Sequence, residues 1–555
     1  MSFSQRFALF LAFAVGVIWF TTQLNPAAPP ADPNAPAASG AEAGSGASGA
    51  SGAAAASGAS GASGASGATG AAASPVEPTA DAVDAVEARI ASELIAYEVG
   101  NSNKGTLRAV ETLSPQFEEP NGKGLDFLNL DARSSLSVDF VQDGTDFGWA
   151  KSDWTHDVAA SREGKVFALR RATPEVEVTQ RIEMGKDYEA KLIVEVVNRS
   201  GREQTHQLEI ATRMGQTGEE GQYDIHRSLC RTQEEVEDFD KSDLDEAPEI
   251  VTGGIRWLGV DSKYFGHYVV PGEAFATCEA AMASDASYLA ATGVMPAASL
   301  APGASKTYTF GLFTGAKEEE RLASFATVAG ANLEDAIDWG WFGGLSKSIG
   351  GLMLRLLRYF YDLTGMWGVA IILLTCVVKL ITLPLTLKQY RSMRKMKEIQ
   401  PEMAKIKEKY GDDRMKQSQE MQALFKRTGV NPLAGCFPML VQFPVWIALY
   451  AMLGTVVELY HESFLWLPDL TKADGLYILP ALMGALMFLQ MRIQPSAADN
   501  EQAKMMQKIM PAVFVVMMLF LPSGLGVYIF ANIVLSLIQS FIQLRGPSSP
   551  AAAAS

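Results

Sequence analysis

Cysteine and histidine are scarce in this chain, with four cysteines and five histidines among 555 residues. No two of them have the C-x2-C or C-x2-H spacing of a zinc site. Four histidines lie far apart in one β-rich region, and no pattern of nucleophile and base connects them; they are His156, His206, His226 and His267. These absences argue against a zinc centre or a histidine-dependent enzyme, and we expect no metal or other cofactor.

The four cysteines fall in two different settings. Cys376 and Cys436 lie in apolar segments and are interpreted as small buried residues. Cys230 and Cys278 lie in an acidic region, where they can pair if that region is in an oxidising compartment. Sequence separation does not tell whether their Cα atoms come close enough, so this disulfide stays an open question at the level of sequence.

Charge is distributed unevenly along the chain. The formal net charge is −16, with acidic residues dominating between residues 25 and 339, yet residues 388–427 are strongly basic. This separation argues against simple polyanion binding and suggests that the two parts lie in different compartments. The chain is also 48% hydrophobic, and its long apolar segments exclude a fully soluble protein.

A lysine lies inside an apolar segment that is long enough to span a bilayer. Residues 364–387 carry no charge except Lys379. The next cation, Lys388, is nine residues away, which in a helix is about 13 Å. Snorkelling does not cover that distance, and an ammonium in the bilayer costs about 3 kcal/mol on insertion scales. Water or an anionic partner must reach Lys379, which makes it the leading candidate for a functional site.

Polar residues follow two apolar segments at helical spacing. The first set is Thr375, Lys379, Thr382 and Thr386, and the second is Tyr528, Asn532, Ser536, Gln539 and Gln543. Each set falls on one face of a helix. Such residues also bond back to their own helix or hold neighbouring helices together, and that alternative stays open. We interpret the two sets as walls of a hydrated cavity, to which Gln442 adds a third wall.

The first 340 residues divide into three parts. Residues 1–24 contain a short apolar run after Arg6 and are interpreted as an uncleaved membrane anchor. Residues 25–78 are an Ala/Gly/Ser/Pro linker with no apolar face to bury. Residues 79–340 alternate apolar and polar positions in short segments, which predicts a large all-β sandwich. The clearest of these segments are 175–183, 188–196 and 307–313.

The remaining residues predict an α-helical membrane bundle. An amphipathic helix at the interface is expected at 341–362, a membrane-spanning core at 363–545 and a flexible tail at 546–555. The core contains five spans, at about 364–387, 435–458, 476–491, 510–521 and 525–544. A basic αα-hairpin occupies 388–428. The positive-inside rule places this hairpin inside and the acidic β-rich region outside. With the anchor, the scheme has six spans and both termini inside.

Short motifs in this core are specific enough to suggest a family. They are Pro384-Leu385-Thr386, Gln389-Tyr390, Ser392-Met393, Asn431-Pro432-Leu433-Ala434-Gly435-Cys436-Phe437-Pro438, Gln442 with Pro444, and Phe520-Leu521-Pro522-Ser523-Gly524. They resemble the YidC-type membrane protein insertases, relatives of the Oxa and Albino proteins. The β-rich region resembles, more loosely, the periplasmic β-supersandwich of the Gram-negative members.

The resemblance implies a membrane protein insertase and chaperone that uses no nucleotide. In this family a groove open to the cytoplasm and to lipid holds a cation, usually Arg, that attracts the acidic tail of the incoming protein. Lys379 occupies that position here, although Lys does not make the bidentate contact of Arg. Thr375 and Tyr528 match two further groove residues. We expect Met487, Phe514 and Met517 to line an apolar path along which the substrate slides into lipid.

The implied partners are nascent membrane proteins, the Sec translocon with its accessory subunits, membrane lipids, and the ribosome. The basic hairpin between Lys388 and Arg427 is expected to contact the ribosome or anionic lipid. The implied location is the bacterial inner membrane, with cytoplasmic termini and a periplasmic β domain.

Two other functions stay open. A secondary transporter also has polar groups inside the membrane, but it usually shows internal repeats, and this sequence shows none. A membrane-anchored sugar-binding protein would account for the sandwich, but it predicts a cluster of histidines and carboxylates that the sequence lacks.

Overall fold

The computed structural model describes residues 88–493 and 509–545, with gaps at 103–104, 119–121, 131–134, 143–144, 147–153, 216–225, 330, 341–342, 412, 430–436 and 510–511. The predicted anchor, linker and tail lie outside the described residues, as do Cys436 and most of the motif that contains it. The described residues belong to one compact unit, in which an all-β region is followed by helices.

The β region comprises nineteen strands among the residues described. They are β1 (Ala88–Ala91), β2 (Ile95–Ser102), β3 (Gly105–Thr112), β4 (Ser137–Gln142), β5 (Thr145–Asp146), β6 (Thr155–His156), β7 (Val166–Ala172), β8 (Val176–Met184), β9 (Glu189–Asn198), β10 (Gln204–Gly215), β11 (Arg227–Arg231), β12 (Val236–Asp240), β13 (Glu249–Ile255), β14 (Trp257–Asp261), β15 (Phe265–Pro271), β16 (Phe275–Met282), β17 (Tyr288–Val294), β18 (Ala298–Leu300) and β19 (Ser305–Ala316).

Two large sheets face each other. One has nine strands in the order β12-β11-β14-β15-β19-β9-β8-β7-β6, and the other has seven in the order β13-β16-β17-β10-β4-β5, with β18 beside β10. A small third sheet, β1-β2-β3, packs against them; Tyr97 Oη of β2 lies 2.9 Å from Thr314 Oγ1 of β19. Aromatic side chains fill the space between the large sheets; the rings of Phe275 and Phe310 stack 5.9 Å apart across it. The predicted all-β region is therefore confirmed.

Alternating hydrophobicity accounts for the clearest strands. The predicted segments 175–183 and 188–196 correspond to β8 and β9, which pair antiparallel with Val176 opposite Asn198. Along β8, alternate residues from Val176 to Ile182, including Gln180, are buried, whereas Glu177, Thr179 and Arg181 are partly exposed. The turn between the strands contains Asp187 at φ 50°, a conformation that Asp adopts more readily than most residues.

A disulfide joins the two large sheets. Cys230 lies in β11 of the nine-stranded sheet and Cys278 in β16 of the seven-stranded one, with their Cα atoms 6.0 Å apart. The pairing that the sequence left open is therefore present, and it fits a domain in an oxidising compartment.

The buried histidines form neutral hydrogen bonds within the sandwich. His267 Nδ1 lies 2.7 Å from Thr314 Oγ1, and His206 Nε2 lies 2.9 Å from Tyr308 Oη. Burial lowers the pKa of His267 to about 3 and that of His206 to about 4, so both are uncharged at neutral pH. Within the described ranges, no three His, Cys, Asp or Glu side chains could hold a metal ion.

The helices described are α1 (Glu319–Ala329), α2 (Gly343–Thr364), α3 (Trp367–Lys409), α4 (Arg414–Thr428), α5 (Phe437–Thr455), α6 (Ile478–Ile493) and α7 (Ser523–Arg545). Short 3-10 turns occur at Pro115–Phe117, Leu333–Ala336 and Val457–Leu459. A further short stretch, 512–518, is helical.

The helix α3 combines the predicted first core span with the first arm of the hairpin. It continues to Lys409 although Pro384 and Pro401 lie inside it. The expected boundary near residue 387 is therefore not a helix end, because the residues after it are mostly good helix formers and no glycine appears before Gly411. The hairpin has a small core of its own, in which Met396 and Ile399 pack with Leu424.

Two described helices are long and apolar enough to cross a membrane, at Trp367–Gln389 in α3 and Ser523–Ile542 in α7. Two shorter apolar stretches lie at Pro444–Thr455 and Ile478–Arg492. The predicted span at 510–521 falls partly outside the described residues. The six-span arrangement therefore stays a prediction.

The β region contacts the helical region at the segment between α5 and α6. Tyr460, between α5 and α6, packs against Phe117, Tyr264 and Phe265, with ring centroids 6.0, 5.5 and 5.3 Å away. Beside it, Gln116 Nε2 of the β region donates to the Glu458 carbonyl at 3.1 Å, and the Glu458 side chain is held by Arg358 of α2 at 2.9 Å. These contacts fix the β region to the helices on the side opposite the hairpin.

Candidate functional site

Lys379 reaches from α3 to the neighbouring helix α7. Its ammonium donates to Asn532 Oδ1 at 3.0 Å and to Ser536 Oγ at 2.7 Å. The three side chains are half-buried. Asn532 and Ser536 are four residues apart and therefore lie on the same face of α7. The structure thus brings together the cation and two of the polar residues that the sequence placed on the opposite helix.

The acceptors of Lys379 are neutral. In the part of the chain that the structure describes, no carboxylate lies within ion-pair distance of its ammonium. An ammonium has three donors, and these two hydrogen bonds use two of them. The arrangement holds a positive charge between two apolar helices without neutralising it.

A second contact lies further along the same two helices. Gln539 Nε2 donates to Thr386 Oγ1 at 2.9 Å. The polar faces of α3 and α7 therefore meet at two levels, about two turns apart. Sequence reasoning included Gln539 in the second set, but the spacing alone did not show which residue of α3 it would contact.

The threonines of α3 bond to their own helix. Thr375 Oγ1 donates to the Ile371 carbonyl at 2.7 Å, and Thr382 Oγ1 donates to that of Val378 at 2.9 Å. Thr375 and Tyr528 are each only 1% exposed, so in this conformation neither contacts open solvent. The backbone position of Gln442 lies in α5, but its side chain is outside the described part of the structure.

The outer face of α3 next to Lys379 is apolar. Leu380 is 66% exposed and Ile381 is 72% exposed. Ile381 also lines a shallow pocket with Thr382, Pro384 and Lys388, on the side of the basic hairpin. The cation therefore lies between a polar helix face and an exposed apolar surface.

The residues predicted to form the apolar path lie on α6 and on the 512–518 helix. Met487, Phe514 and Met517 are half-buried, and the Phe514 ring stacks on Trp446 at 6.0 Å. Neighbouring apolar residues are more exposed; they are Phe488, Leu489, Val516 and Phe520. Sequence reasoning missed these four because a continuously apolar helix shows no periodicity that distinguishes its faces.

Comparison with known proteins covers both regions of the chain. Residues 132–350 match the family described as the YidC periplasmic domain, and residues 359–548 match the 60Kd inner membrane protein family. The membrane protein insertase YidC of Geotalea uraniireducens (strain Rf4) is 32% identical over 440 residues, which are 77% of this chain and 81% of that protein. This chain belongs to the YidC family of membrane protein insertases.

Other YidC proteins give the same result. YidC of Anaeromyxobacter dehalogenans (strain 2CP-C) is 39% identical over 376 residues, 66% of this chain and 67% of that protein. YidC of Anaeromyxobacter sp. (strain Fw109-5) is 41% identical over 328 residues, 59% of this chain and 58% of that protein. A crystal structure of an active YidC insertase with its first transmembrane domain resolved is 19% identical, with a TM-score of 0.37, over 84% of this chain and 96% of that one. The family matches and the relatives at 32–41% identity confirm the resemblance to YidC predicted from the motifs.

Proposed function

We propose that this chain inserts newly made proteins into the bacterial inner membrane, and assists their folding, through a groove centred on Lys379. One observation carries the proposal: an ammonium inside an apolar helix pair is bound by two neutral acceptors, Asn532 and Ser536. Intramembrane cations normally pair or mark a functional site. Membership of the YidC family agrees with this function, and neither the transporter nor the sugar-binding alternative gains a supporting observation.

The groove cation would act by attracting carboxylates. A hydrogen bond between an ammonium and a carboxylate is roughly twice as strong as one to a neutral acceptor. An acidic substrate tail can therefore take the third donor of Lys379 or displace Ser536. Because Lys379 is half-buried, the attraction is screened less than it would be at a protein surface. The bond to Asn532 would keep the ammonium in place until the tail arrives.

Partition into lipid would supply the driving force. Each Å² of apolar surface that leaves water contributes about 25 cal/mol, so no nucleotide is required. The apolar outer face of α3 at Leu380 and Ile381 adjoins the cation. A substrate held by its polar tail at Lys379 can place its apolar segment there, or along the path at Met487, Phe514 and Met517. Thr375, Thr382, Gln442 and Tyr528 complete the groove in this proposal.

The proposed topology follows the charge distribution. Six spans place the basic hairpin and both termini in the cytoplasm and the β domain, with its disulfide, in the periplasm. We propose the domain boundaries expected from the sequence, with α3 continuing through the expected end of the first core span near residue 387. The hairpin would contact the ribosome, and the Sec translocon would be a further partner. Periplasmic labelling of a cysteine in the hairpin would contradict this topology.

Depletion of the chain from its own host tests the function directly. We expect newly made inner-membrane proteins with short acidic translocated tails to lose protease protection within one generation of depletion, while periplasmic proteins still mature. Pulse-labelling and protease accessibility measure both classes in one experiment. Re-expression of the wild-type chain should restore insertion. Normal insertion of every inner-membrane protein after full depletion would refute the proposed function.

A further inference from the structure

A cavity separate from the Lys379 groove lies where the β region meets the helices. Its β-region side is formed by Arg227 of β11, Lys263 after β14 and Lys317 after β19. Its helix side is formed by the end of α5, including Leu453 and Gly454, and by the start of α7 at Leu525; Asp338 lies between the two sides. One wall is therefore charged and the other apolar.

Both signs of charge are present at the charged wall. Arg227 and Lys317 each donate to the fully buried Asp261 at 2.9 Å, and Arg227 also lies 3.4 Å from Asp238. When Lys263 and Asp338 are included, the wall and the side chains bound to it contain three cations and three carboxylates. A ligand with a large net charge would therefore gain little here, whereas one that carries a separated positive and negative group fits the wall.

The apolar wall of the cavity borders open space at the end of α5. A Cβ atom added at Gly454 would meet no heavy atom within 4 Å, so the helix surface there borders open space. Gly454 is one residue from the end of α5, and Leu525 is in the first turn of α7. In the proposed topology both positions are at the periplasmic edge of the bilayer. An amphiphile in this position would have its head group at the charged wall and its chains against the apolar one.

We propose that this cavity binds a zwitterionic aminophospholipid of the periplasmic leaflet. Its phosphate would lie at Lys263 and Lys317, its ammonium at the exposed carboxylate of Asp338, and its acyl chains over Leu453, Gly454 and Leu525. The lipid would fill the space between the β region and the helices and stabilise their contact at Tyr460. The inference rests on the proposed span arrangement and is independent of the role of Lys379.

Binding is tested with the purified, delipidated full chain in detergent. Phosphatidylethanolamine should raise the Tm by about 3 °C or more, because a ligand that binds only the folded state stabilises it. Native mass spectrometry should show one retained lipid. Diacylglycerol with the same chains lacks the head group and should produce neither effect. Equal effects of diacylglycerol, or binding of anionic phospholipid alone, would overturn the proposal.

Two variants locate the site. Gly454→Leu fills the space beside α5 and should abolish the Tm shift, whereas Gly344→Leu, at another glycine where a Cβ meets nothing within 4 Å, should preserve it. Lys263→Gln should reduce the shift at least by half. Its matched control is Lys306→Gln, because Lys263 and Lys306 both place their ammonium over a tyrosine ring, at 4.9 and 4.7 Å. An unchanged shift in both Gly454→Leu and Lys263→Gln would contradict the assigned site.

Discussion

Replacing Lys379 with glutamate is expected to reduce the insertion of substrates with acidic translocated tails by at least about tenfold, which corresponds to about 1.4 kcal/mol. The substitution converts attraction into repulsion at a half-buried site, where a close pair of unit charges interacts by about 4 kcal/mol at an effective dielectric constant of 20. Lys379→Ala should give a smaller loss, because it removes the attraction without adding repulsion. Lys379→Arg should retain insertion, since the charge is kept. Protease protection of pulse-labelled substrate measures all three variants.

The matched control for this prediction is a change of charge in the substrate. If its acidic tail residues are changed to amides, insertion should become insensitive to the charge at position 379. A second control, Lys186→Glu, reverses an exposed charge in the β region, away from the groove and the hairpin, and should have little effect. Wild-type insertion of the acidic substrate by both Lys379→Ala and Lys379→Glu would show that the cation does not attract the tail.

Replacing Asp261 with alanine is expected to destabilise the β region by about 3–5 kcal/mol. Asp261 is fully buried and accepts hydrogen bonds from Arg227, Lys317 and Tyr268. Burial alone would raise the pKa of Asp261, but the charges of Arg227 and Lys317 outweigh burial and hold that pKa below its ordinary value. The group is therefore a carboxylate at neutral pH. Without it, two buried cations lose their shared partner.

Thermal unfolding of the purified full chain measures this effect, and limited proteolysis shows whether the β region is the part that opens. Glu175→Ala provides the control, because Glu175 is exposed and lies 3.8 Å from Arg202, which is exposed as well. Surface pairs of this kind contribute about 1 kcal/mol or less. An Asp261→Ala protein that unfolds at the wild-type temperature would show that the buried cluster does not hold the sandwich together.

Local patterns in the sequence were sufficient to predict those structural features that depend only on residues close together in the chain. Alternation predicted β8 and β9, and the isolated charge in an apolar segment singled out Lys379, whose ammonium the structure places against polar residues of α7. Their spacing of four residues also placed Asn532 and Ser536 on one face of α7. Each of these predictions needed only the period of a strand or helix, or the cost of burying a charge.

Features that depend on distant contacts were not predictable. The threonine spacing on α3 fits both a groove-facing role and bonds to its own helix, and only the structure shows the bonds of Thr375 and Thr382 to their helix. The disulfide depended on which strands of the two sheets face each other. The packing of Tyr460 against Phe265 joins residues nearly two hundred positions apart, and no local pattern encodes it.

Thiol accessibility at the α3–α7 interface tests the central claim most directly, because a groove that admits a polar tail must also admit water. Single cysteines are placed at Thr382 and Ser536 on the polar faces, and at Val377 and Val534 away from them, after removal of the thiols of Cys376 and Cys436. A membrane-impermeant maleimide is then added from the cytoplasmic side. The groove predicts rapid labelling at 382 and 536 and slow labelling at 377 and 534. Equal labelling at all four positions, or none at 382 and 536, would mean that Lys379 lies in a dry helix interface and that no hydrophilic groove exists there.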